Sequence, residues 1–347
     1  MNRLVLLALC GMAWVLAGCE QRQANGPTSQ PGATAGAAQA GTGGKRTIAV
    51  IPKGTTHEFW KSIHAGANKA AQEIGCEIIW KGPVREDESA SQIATVEDMM
   101  STGVSGIVLA PNDASALARV VDRANQQKVP VVIIDSDVNS QNYKSFVATD
   151  NHKGGQMAGE HLAQLLGGKG KVILLRYQEG SASTEKREAG FLDAMKKHPK
   201  IQIVSMNQYA GATSDSAQKA AENLLAAYKN ADGSLAVDGV FTPNESSTYG
   251  MLLALRAAKG AGTVKFVGFD ASEKLVDALQ VGEIHGLILQ DPVNMGYLGV
   301  KTMVAVLDGK TVEKRIDTGV HLATKQNLAT PEIEALIAPQ WEKFGVK

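Results

Sequence analysis

The sequence has few cysteines and few aromatic residues, and neither sign of charge is in excess. Of its 347 residues, 3 are cysteines and 5% are aromatic, while Lys plus Arg and Asp plus Glu each total 35. A chain without a basic excess offers no electrostatic surface for a polyanion, so we expect no nucleic-acid partner. Cys10 and Cys19 lie at the N-terminus, which leaves Cys76 alone in the rest of the chain and excludes an internal disulfide there. The apolar residues after Cys76 predict a buried, unreactive thiol.

Signatures of catalysis and of metal binding are also absent from the sequence. It contains no P-loop, HExxH or GxSxG motif, and its histidines and cysteines do not have the spacing of a zinc site. No candidate nucleophile stands in a pattern with a base. We therefore predict that the protein is not an enzyme and that it uses no cofactor and no metal ion.

The first 19 residues have the layout of a secretory signal peptide. A short positive start ends at Arg3, and an apolar run from Leu4 leads through small residues into Leu16-Ala17-Gly18-Cys19. The run is shorter than the stretch of about 20 apolar residues that a transmembrane helix needs. Because it ends at a cysteine, it resembles a lipobox, which implies that Cys19 becomes the lipidated first residue of the mature protein. The alternative is an ordinary signal peptide that happens to contain this cysteine.

Residues 20–45 consist mainly of Gln, Ala, Gly, Thr, Ser and Pro and have almost nothing to bury. Such a composition cannot offset the entropy of ordering, so we expect a flexible linker. Together with the lipobox, the linker predicts a membrane-anchored lipoprotein in the periplasm or at the cell surface. The remainder of the chain is long enough for two domains.

From Arg46 onward, short apolar runs rich in Val and Ile alternate with longer stretches of helical pattern. The predicted strands are 47–51, 77–80, 104–109, 129–134, 145–148, 171–175, 201–205, 237–241, 264–269 and 284–289. The predicted helices are 58–74, 88–102, 114–127, 151–166, 184–197, 214–229, 246–258, 272–281 and 292–307. Alternating β and α units indicate parallel sheets, whose strands are apolar on both faces because helices cover both sides.

The number of predicted strands is larger than one domain usually holds, and the series of β and α units divides into two sets. One set of units ends at Asp135, and the run from Phe146 to Asp150 begins another. The sequence therefore predicts an α/β fold of two doubly wound parallel-sheet lobes.

Polar residues cluster where the predicted strands end. The clusters contain Lys53 and His57, Asp135, Ser136 and Asp137, Asn244 and Glu245, Asp270, and Gln290 and Asp291. Ligands of open α/β sheets bind outside the carboxyl ends of the strands, so these clusters predict a cleft between the lobes. Each Asp or Asn taken alone also suits the N-cap of the helix that follows, and this alternative stays open.

At these positions the chain resembles the type I periplasmic sugar-binding proteins, in particular the ribose-binding family that serves ABC importers. The resemblance extends from about Thr47 to Leu322. It rests on Ile51-Pro52-Lys53 with Phe59-Trp60, Ala148-Thr149-Asp150-Asn151 with Gly154-Gly155, Arg187-Glu188-Ala189-Gly190-Phe191, Phe241 with Asn244, Val267-Gly268-Phe269-Asp270, and Leu289-Gln290-Asp291.

The resemblance implies two lobes that are joined by a three-strand hinge and close on one ligand. The crossovers would lie near 149–150, 290–291 and 319–320. The N-terminal lobe would then comprise 46–149 plus 291–319, the C-terminal lobe 150–290 plus 320–330, and a C-terminal extension 331–347.

The binding pattern of the family implies a role for each matching residue. Asp135 would accept hydrogen bonds from sugar hydroxyls, and Arg187 would donate to the ring oxygen or to a hydroxyl. Phe59 and Trp60 would pack on the sugar ring. Further polar contacts would come from His57, Asn244, Asp270 and Gln290.

The chain also departs from the ribose-binding pattern. Ser136 stands where that pattern has an arginine, and Lys53 stands where it has a small polar residue; we expect both to contact the ligand. One second-lobe aromatic residue is missing, and Tyr209 is the residue that could replace it. We predict that Lys53 and Asp135 form a charged pair at the ligand. The alternative is that Lys53 is a solvated loop lysine.

The sequence thus predicts a monomeric, extracytoplasmic substrate-binding lipoprotein. It would capture a sugar or polyol between its lobes, close by a hinge motion, and deliver the ligand to a membrane-embedded ABC permease. The alternative is a sensor of a sugar or autoinducer that signals to a membrane receptor. A transcription regulator with this lobe architecture would need a DNA-binding segment where this chain has its signal peptide.

Overall fold

The computed structural model describes residues 46–338 and 340–346 of the chain. The predicted signal peptide, the lipidation site at Cys19 and the predicted linker at 20–45 lie outside the described residues. In the part of the chain that is described, no helix combines the length and the apolar character needed to cross a bilayer.

Strands and helices alternate along the described residues, as the apolar periodicity predicts. The strands are β1 Thr47–Ile51, β2 Glu77–Trp80, β3 Gly106–Leu109, β4 Val131–Ile134, β5 Ser145–Ala148, β6 Gly170–Arg176, β7 Ile201–Tyr209, β8 Gly239–Phe241, β9 Lys265–Phe269, β10 Gly286–Leu289, β11 Arg315–Asp317 and β12 His321–Ala323. The helices are α1 Glu58–Ile74, α2 Ser89–Ser101, α3 Ala118–Gln126, α4 Asn151–Leu165, α5 Ala182–Met195, α6 Ser214–Ala226, α7 Glu245–Ala257, α8 Glu273–Val281, α9 Pro292–Leu307 and α10 Pro331–Ile337, followed by a 3-10 helix at Trp341–Phe344.

The strands form two six-stranded sheets, one in each lobe. The first sheet has the order β11-β5-β4-β3-β1-β2, and all of its neighbouring strands are parallel. The second has the order β12-β10-β9-β8-β6-β7, and its neighbours are parallel except for β10 with β12. The predicted α/β fold of two doubly wound lobes is therefore confirmed.

The last two strands were not expected from the sequence. β11 and β12 have three residues each and lack a fully buried apolar run, so the apolar periodicity does not reveal them. β12 is antiparallel to β10, whereas the sequence predicts parallel sheets. The reason is topological, because β10 leads out to the first lobe at its carboxyl end and β12 enters the second lobe from that same side.

Local chemistry shifts one predicted helix boundary. Helix α3 begins at Ala118 instead of 114. The carboxylate of Asp113 accepts hydrogen bonds from the N–H groups of Ser115 (2.8 Å) and Ala116 (2.7 Å), which holds the preceding residues in a turn. Short-range bonding of this kind by aspartate competes with helix formation.

Helices cover both faces of each sheet, so the central strands are buried on both sides. All residues of β3, β4 and β10 are buried, which explains why these strands read as continuous apolar runs in the sequence. Each sheet separates two clusters of buried apolar side chains. Cys76 belongs to a cluster of the first lobe and is buried, as predicted.

Within the described residues, three links join the strands and helices of one lobe to those of the other. They follow β5, β10 and β11 and lead into α4, α9 and β12 respectively. The links after β5 and β11 lie side by side: the guanidinium of Arg315 in β11 donates to the carbonyl oxygens of Ala148 (2.7 Å) and Thr149 (3.0 Å), and the hydroxyls of Thr149 and Thr318 are 3.4 Å apart. Because they lie side by side, the links can act as a hinge.

Glycines let helices approach closely at a corresponding place in each lobe. Where α1 crosses α9, a Cβ on Gly66 would lie 1.8 Å from the carbonyl oxygen of Val293. Where α4 crosses α5, a Cβ on Gly155 would lie 1.9 Å from the carbonyl oxygen of Arg187. Both distances are far inside van der Waals contact, so a larger residue would push the helices apart. These crossings therefore set the positions of α1 and of Arg187, both of which reach the site described next.

Candidate ligand-binding site

A cavity of about 290 Å³ lies between the two lobes, at the carboxyl ends of strands from both sheets. Its lining consists of Lys53, His57, Phe59, Trp60, Glu86, Asp135, Ser183, Thr184, Arg187, Asn244, Glu245, Asp270 and Gln290. The cavity brings together every ligand-binding residue expected from the sequence except Ser136.

Lys53 is buried in the wall of this cavity. It follows β1, its side chain is 3% exposed, and its Nζ lies 2.9 Å from Oδ2 of Asp135, which follows β4. The same Nζ donates across the cleft to the hydroxyls of Ser183 (2.9 Å) and Ser181 (3.3 Å). Lys53 is therefore paired and buried, in contrast to a solvated loop lysine.

Asp135 and Asp270 have the same backbone conformation at the ends of strands in different lobes. Their φ angles are 60° and 68°, a left-handed region that aspartate and asparagine enter more readily than most residues. Hydrogen bonds hold both turns, because the N–H groups donate to the carbonyl oxygens of Val147 (3.1 Å) and Ile288 (2.8 Å) in the next strand. Both carboxylates consequently face the cavity.

Arg187 is buried on the second-lobe wall. Its Nε donates to Oδ1 of Asn151 (2.8 Å), its Nη1 donates to the carbonyl oxygen of Pro243 (2.9 Å), and its guanidinium lies over the ring of Phe269. Burial lowers the pKa of this side chain, and the nearby carboxylate of Asp270 opposes that shift. Among the described residues, Nη2 has no hydrogen-bond partner. An oriented, charged donor is thus presented at the cavity.

Asp270 and Gln290 form a second polar unit of the wall. Nε2 of Gln290 donates to Oδ1 of Asp270 (2.7 Å), and Oδ2 of Asp270 accepts from the N–H of Glu245 (3.0 Å). The side-chain oxygen of Gln290 accepts no hydrogen bond within the described residues. The cavity therefore carries an available acceptor in addition to the donor on Arg187.

Asn244 serves as a helix cap as well as a wall residue. It is the N-cap of α7, where its Oδ1 accepts from the N–H of Ser247 (3.2 Å) and its own N–H donates to the hydroxyl of Ser247 (3.2 Å). Its Nδ2 donates to the hydroxyl of Ser246 (3.2 Å). The capping alternative for this residue is correct, and the cap fixes the orientation in which the amide borders the cavity.

The aromatic side chains of Phe59 and Trp60 come from the first turn of α1. Their rings are 5.0 Å apart and nearly perpendicular. The indole N–H of Trp60 donates to Oε1 of Glu86 (2.8 Å), which holds this ring in one orientation. The pair gives the otherwise polar cavity an apolar side.

His57 forms a buried ion pair with Glu86. Nδ1 of the imidazole lies 2.7 Å from Oε1 of the carboxylate. Burial alone would lower the pKa of His57, but the attraction and hydrogen bond of Glu86 raise it to about 9. Burial likewise acts to raise the pKa of Glu86, but His57 outweighs it and lowers the pKa to about 2. Both groups are therefore charged at neutral pH, and neither is poised to transfer a proton.

Glu245 belongs to the polar cluster that follows a predicted strand, but it was not among the predicted ligand contacts although it follows Asn244 directly. Its carboxylate crosses the cleft and accepts from the backbone N–H groups of Glu58 (3.3 Å) and Phe59 (3.1 Å) at the start of α1. A carboxylate is stabilised at a helix N-terminus. Burial raises the pKa of Glu245 to about 7, against the opposing charge of His57.

Glu86, Ser183 and Thr184 were missed for a different reason. Glu86 lies in the loop between β2 and α2, and the two hydroxyl residues lie in the first turn of α5. None of them directly follows an apolar strand, whereas predicted site residues such as Asp135 and Asp270 do. A serine-rich stretch at the start of a predicted helix was the sequence signal available for Ser183 and Thr184. No sequence signal marked Glu86.

Two residues singled out in the sequence lie outside the cavity lining. Ser136 is fully buried, and its hydroxyl accepts from the N–H of Ser183 (3.0 Å), so it joins the lobes behind the wall. Tyr209 is 40% exposed at the end of β7, where the guanidinium of Arg176 lies over its ring. Tyr209 therefore does not take the place of the missing second-lobe aromatic residue.

Direct contacts across the cleft show that the lobes are closed. Besides the bonds of Lys53 and Glu245 described above, the hydroxyl of Tyr177 donates to Oε2 of Glu86 (3.0 Å), and Lys186 pairs with Asp137 (3.1 Å). Among the described residues, no group of three or more His, Cys, Asp or Glu side chains is arranged to hold a metal ion.

Two doubly wound lobes, joined by three links and closed over a small polar cavity with an aromatic side, define the class of the type I periplasmic binding proteins. Comparison with known proteins agrees with this assignment. Residues 48–311 match the model of the periplasmic binding protein domain family. The chain therefore belongs to this family, among its sugar-binding members.

Individual relatives give the same result. The chain is 30% identical over 279 residues to the ribose import binding protein of Haemophilus influenzae, which covers 80% of this chain and 91% of that protein. It is 30% identical to the D-ribose/D-allose-binding protein of Pseudomonas aeruginosa, covering 83% of this chain and 92% of that protein. The relatives are named as binding proteins, which confirms that this chain is not an enzyme.

Solved structures of similar proteins have the same architecture. A carbohydrate transporter solute-binding protein from Agrobacterium radiobacter, solved with D-arabinose, superposes with a TM-score of 0.80 at 35% identity and covers 84% of this chain and 99% of that chain. An ABC transporter solute-binding protein from Agrobacterium vitis with bound D-fucose has a TM-score of 0.79 at 34% identity, with the same shares covered.

The ion pair of His57 predicts how stability changes with pH. Because folding raises the pKa of His57 from 6.5 to about 9, the folded chain retains a proton in this interval that the unfolded chain has released. The stabilisation is complete below pH 6.5 and is lost as the pH rises through 9, with a slope in the free energy of unfolding that approaches about 1.4 kcal/mol per pH unit. Urea denaturation of ligand-free protein at several pH values should show a shallower decline for His57→Gln than for the wild type.

His64→Gln is the matched control for this measurement, because His64 lies on the same helix and burial lowers its pKa. It is neutral in both states above about pH 7, so its replacement should leave the slope unchanged. Equal slopes for the wild type and His57→Gln would contradict the charged pair.

Proposed function

We propose that this protein binds a neutral monosaccharide or polyol in the inter-lobe cavity and delivers it to an ABC permease. The observation that carries the proposal is the pair of available polar atoms at the cavity, Nη2 of Arg187 and Oε1 of Gln290, both buried and without a hydrogen-bond partner among the described residues. Leaving such groups unpaired is costly, so a ligand that offers both an acceptor and a donor is favoured. A sugar hydroxyl offers both.

The charges of the site support a neutral ligand. Lys53 pairs with Asp135, His57 pairs with Glu86, and the guanidinium of Arg187 lies within 4.0 Å of carboxylate oxygens on either side. A charged ligand would disturb this balance in a buried site, whereas a polyol would not. Phe59 and Trp60 would cover the C–H face of the ring, as aromatic side chains suit an apolar surface.

Capture by closure follows from the division of the cavity between lobes. Lys53 and Asp135 come from the first lobe, and Arg187 and Asp270 come from the second, so a ligand in the cavity would contact both. A ligand that interacts with both lobes only when they are closed shifts the population toward the closed form. We assign residues 46–149 plus 291–319 to one lobe and 150–290 plus 320–330 to the other. The permease would recognise the closed pair.

We also propose that Cys19 carries a lipid that anchors the protein outside the cytoplasmic membrane. The N-terminal sequence pattern supports this, together with the extracytoplasmic location of the family's named periplasmic relatives. Cys19→Ser should move the protein from the membrane fraction to the soluble extracytoplasmic fraction, while Cys10→Ser should not. If Cys19→Ser stays in the membrane fraction, the anchor lies elsewhere.

A thermal-shift screen tests the binding function. Residues 46–347 would be refolded to remove any co-purified ligand and screened against pentoses, hexoses, deoxysugars, polyols and a furanosyl autoinducer. A ligand at a hundred times its dissociation constant should stabilise the fold by about 2.7 kcal/mol, which raises the melting temperature clearly. A response to a sugar or polyol is expected. A flat result across all sugars and polyols would overturn the proposal.

Calorimetry with the ligand identified in that screen tests the role of Lys53. We expect Lys53→Ala to weaken binding by about tenfold or more, because it removes a donor and leaves the buried carboxylate of Asp135 without its ion pair. Lys81→Ala is the control, since Lys81 is exposed in the same lobe and pairs with Asp98 on the surface. Unchanged affinity of Lys53→Ala would exclude Lys53 from the binding site.

A further inference from the structure

The C-terminal extension continues beyond β12 and is anchored in the second lobe. Ile333 of α10 is buried in the apolar cluster between the second sheet and its helices, and Leu336 and Ile337 pack against that cluster. No sequence pattern assigns a function to this extension, residues 331–347. We call the described part of it, residues 331–338 and 340–346, the strap.

The far end of the strap contacts the first lobe. The indole N–H of Trp341 donates to the hydroxyl of Ser62 on α1 (2.8 Å), and Nδ2 of Asn68 on α1 donates to the carbonyl oxygen of Phe344 (3.0 Å). Lys61 lies over the ring of Trp341, with its ammonium 5.6 Å from the ring centroid. The strap thus connects the lobes once more, in addition to the three hinge links.

We propose that the strap positions helix α1 at the ligand cavity and holds the lobes in the closed form, which slows release of the ligand. The inference rests on the proposed sugar-binding function. Trp341 would act as a positioning residue, because it contacts α1 and does not line the ligand cavity.

The helix that the strap holds is the one that supplies the aromatic side of the site. Ser62 lies one turn beyond Phe59 on α1, and its hydroxyl also donates to the carbonyl oxygen of Glu58 (3.4 Å). The hydrogen bond from Trp341 therefore acts on the first turn of α1. A shift of that turn would move Phe59 and the backbone N–H groups that Glu245 accepts from.

A second cavity is lined both by the strap and by residues of the ligand site. It has a volume of about 310 Å³ and is lined by Ser62, by Leu336 of the strap, and by Phe59, Asp270 and Gln290, which also line the ligand cavity. The strap therefore borders the rear of three side chains that face the ligand.

The two ends of the strap differ in kind of attachment. α10 is held by buried apolar side chains of the second lobe, whereas the 3-10 helix is held on α1 by hydrogen bonds and by lysine–ring contacts, with the buried side chain of Val346 directly after it. Opening of the lobes moves α1 relative to α10, so one attachment must yield. We expect the attachment on α1, whose bonds are mainly polar, to be the one that is lost on opening.

Stopped-flow binding on the soluble chain of residues 20–347 tests the inference, with the sugar found in the thermal-shift screen as the probe. Trp341→Ala should raise the dissociation rate constant by about fivefold or more, because it removes both the hydrogen bond and the ring. Trp341→Phe, which keeps a ring and loses the N–H, should lie between that variant and the wild type. Lys343→Ala is the control within the same 3-10 helix, since its side chain is exposed.

Small-angle X-ray scattering supplies a measurement that does not depend on the ligand. Ligand-free Trp341→Ala should have a larger radius of gyration than the ligand-free wild type, while Lys343→Ala should match the wild type. A purely local structural role would lower the melting temperature without changing either the dissociation rate or the radius of gyration. That result would overturn the inference.

The experiments distinguish a wrong inference about the strap from a wrong proposed function. If the wild type binds a sugar and Trp341→Ala releases it at the same rate, the strap has no role in closure and the proposed function stands. If the wild type binds no sugar or polyol, the proposed function fails. The scattering measurement alone then tests whether the strap holds the lobes closed. Equal radii of gyration would then overturn it.

Discussion

Charge that is buried away from water must be balanced at short range, and this constraint organises the site. Lys53, His57 and Arg187 each lie within 4.0 Å of a carboxylate oxygen. The shortest pairs, Lys53 with Asp135 and His57 with Glu86, form within one lobe. The first lobe therefore balances its own charges at the cavity, and breaking a pair would leave an isolated buried charge. Closure then adds bonds between groups that are already oriented.

The wall is rigid because secondary structure holds its polar groups. Asp135 and Asp270 are fixed by strained turns at strand ends, Asn244 is fixed by a capping box, and Arg187 is fixed by two hydrogen bonds and the close crossing at Gly155. Groups that are oriented before a ligand arrives lose little entropy when they bind it. The few polar atoms left available can then discriminate between neighbouring hydroxyl arrangements.

The parts of the molecule that were predictable from the sequence are those set by local patterns. The strands, most helix boundaries and the strand-end residues such as Asp135 follow from apolar periodicity and from the polar residue that comes next. Glu86 and Ser183 were not predictable, because they reach the cavity through the approach of one lobe to the other, which no local pattern encodes. Ser136 shows the converse case. It follows a strand-end aspartate in sequence, but the left-handed turn at Asp135 directs its hydroxyl to the second lobe behind the wall.

The order of strands in the first sheet has a consequence for folding. Phe146 of β5 pairs with Arg315 of β11, and α9, which covers one face of the same sheet, begins only at Pro292. The second lobe consists mostly of a continuous stretch of chain between these elements, so it can assemble earlier. Contacts of such long sequence separation also form slowly. Both sheets therefore keep an open edge, the first at β5 and the second at β10, until the short strands β11 and β12 that follow α9 have been made.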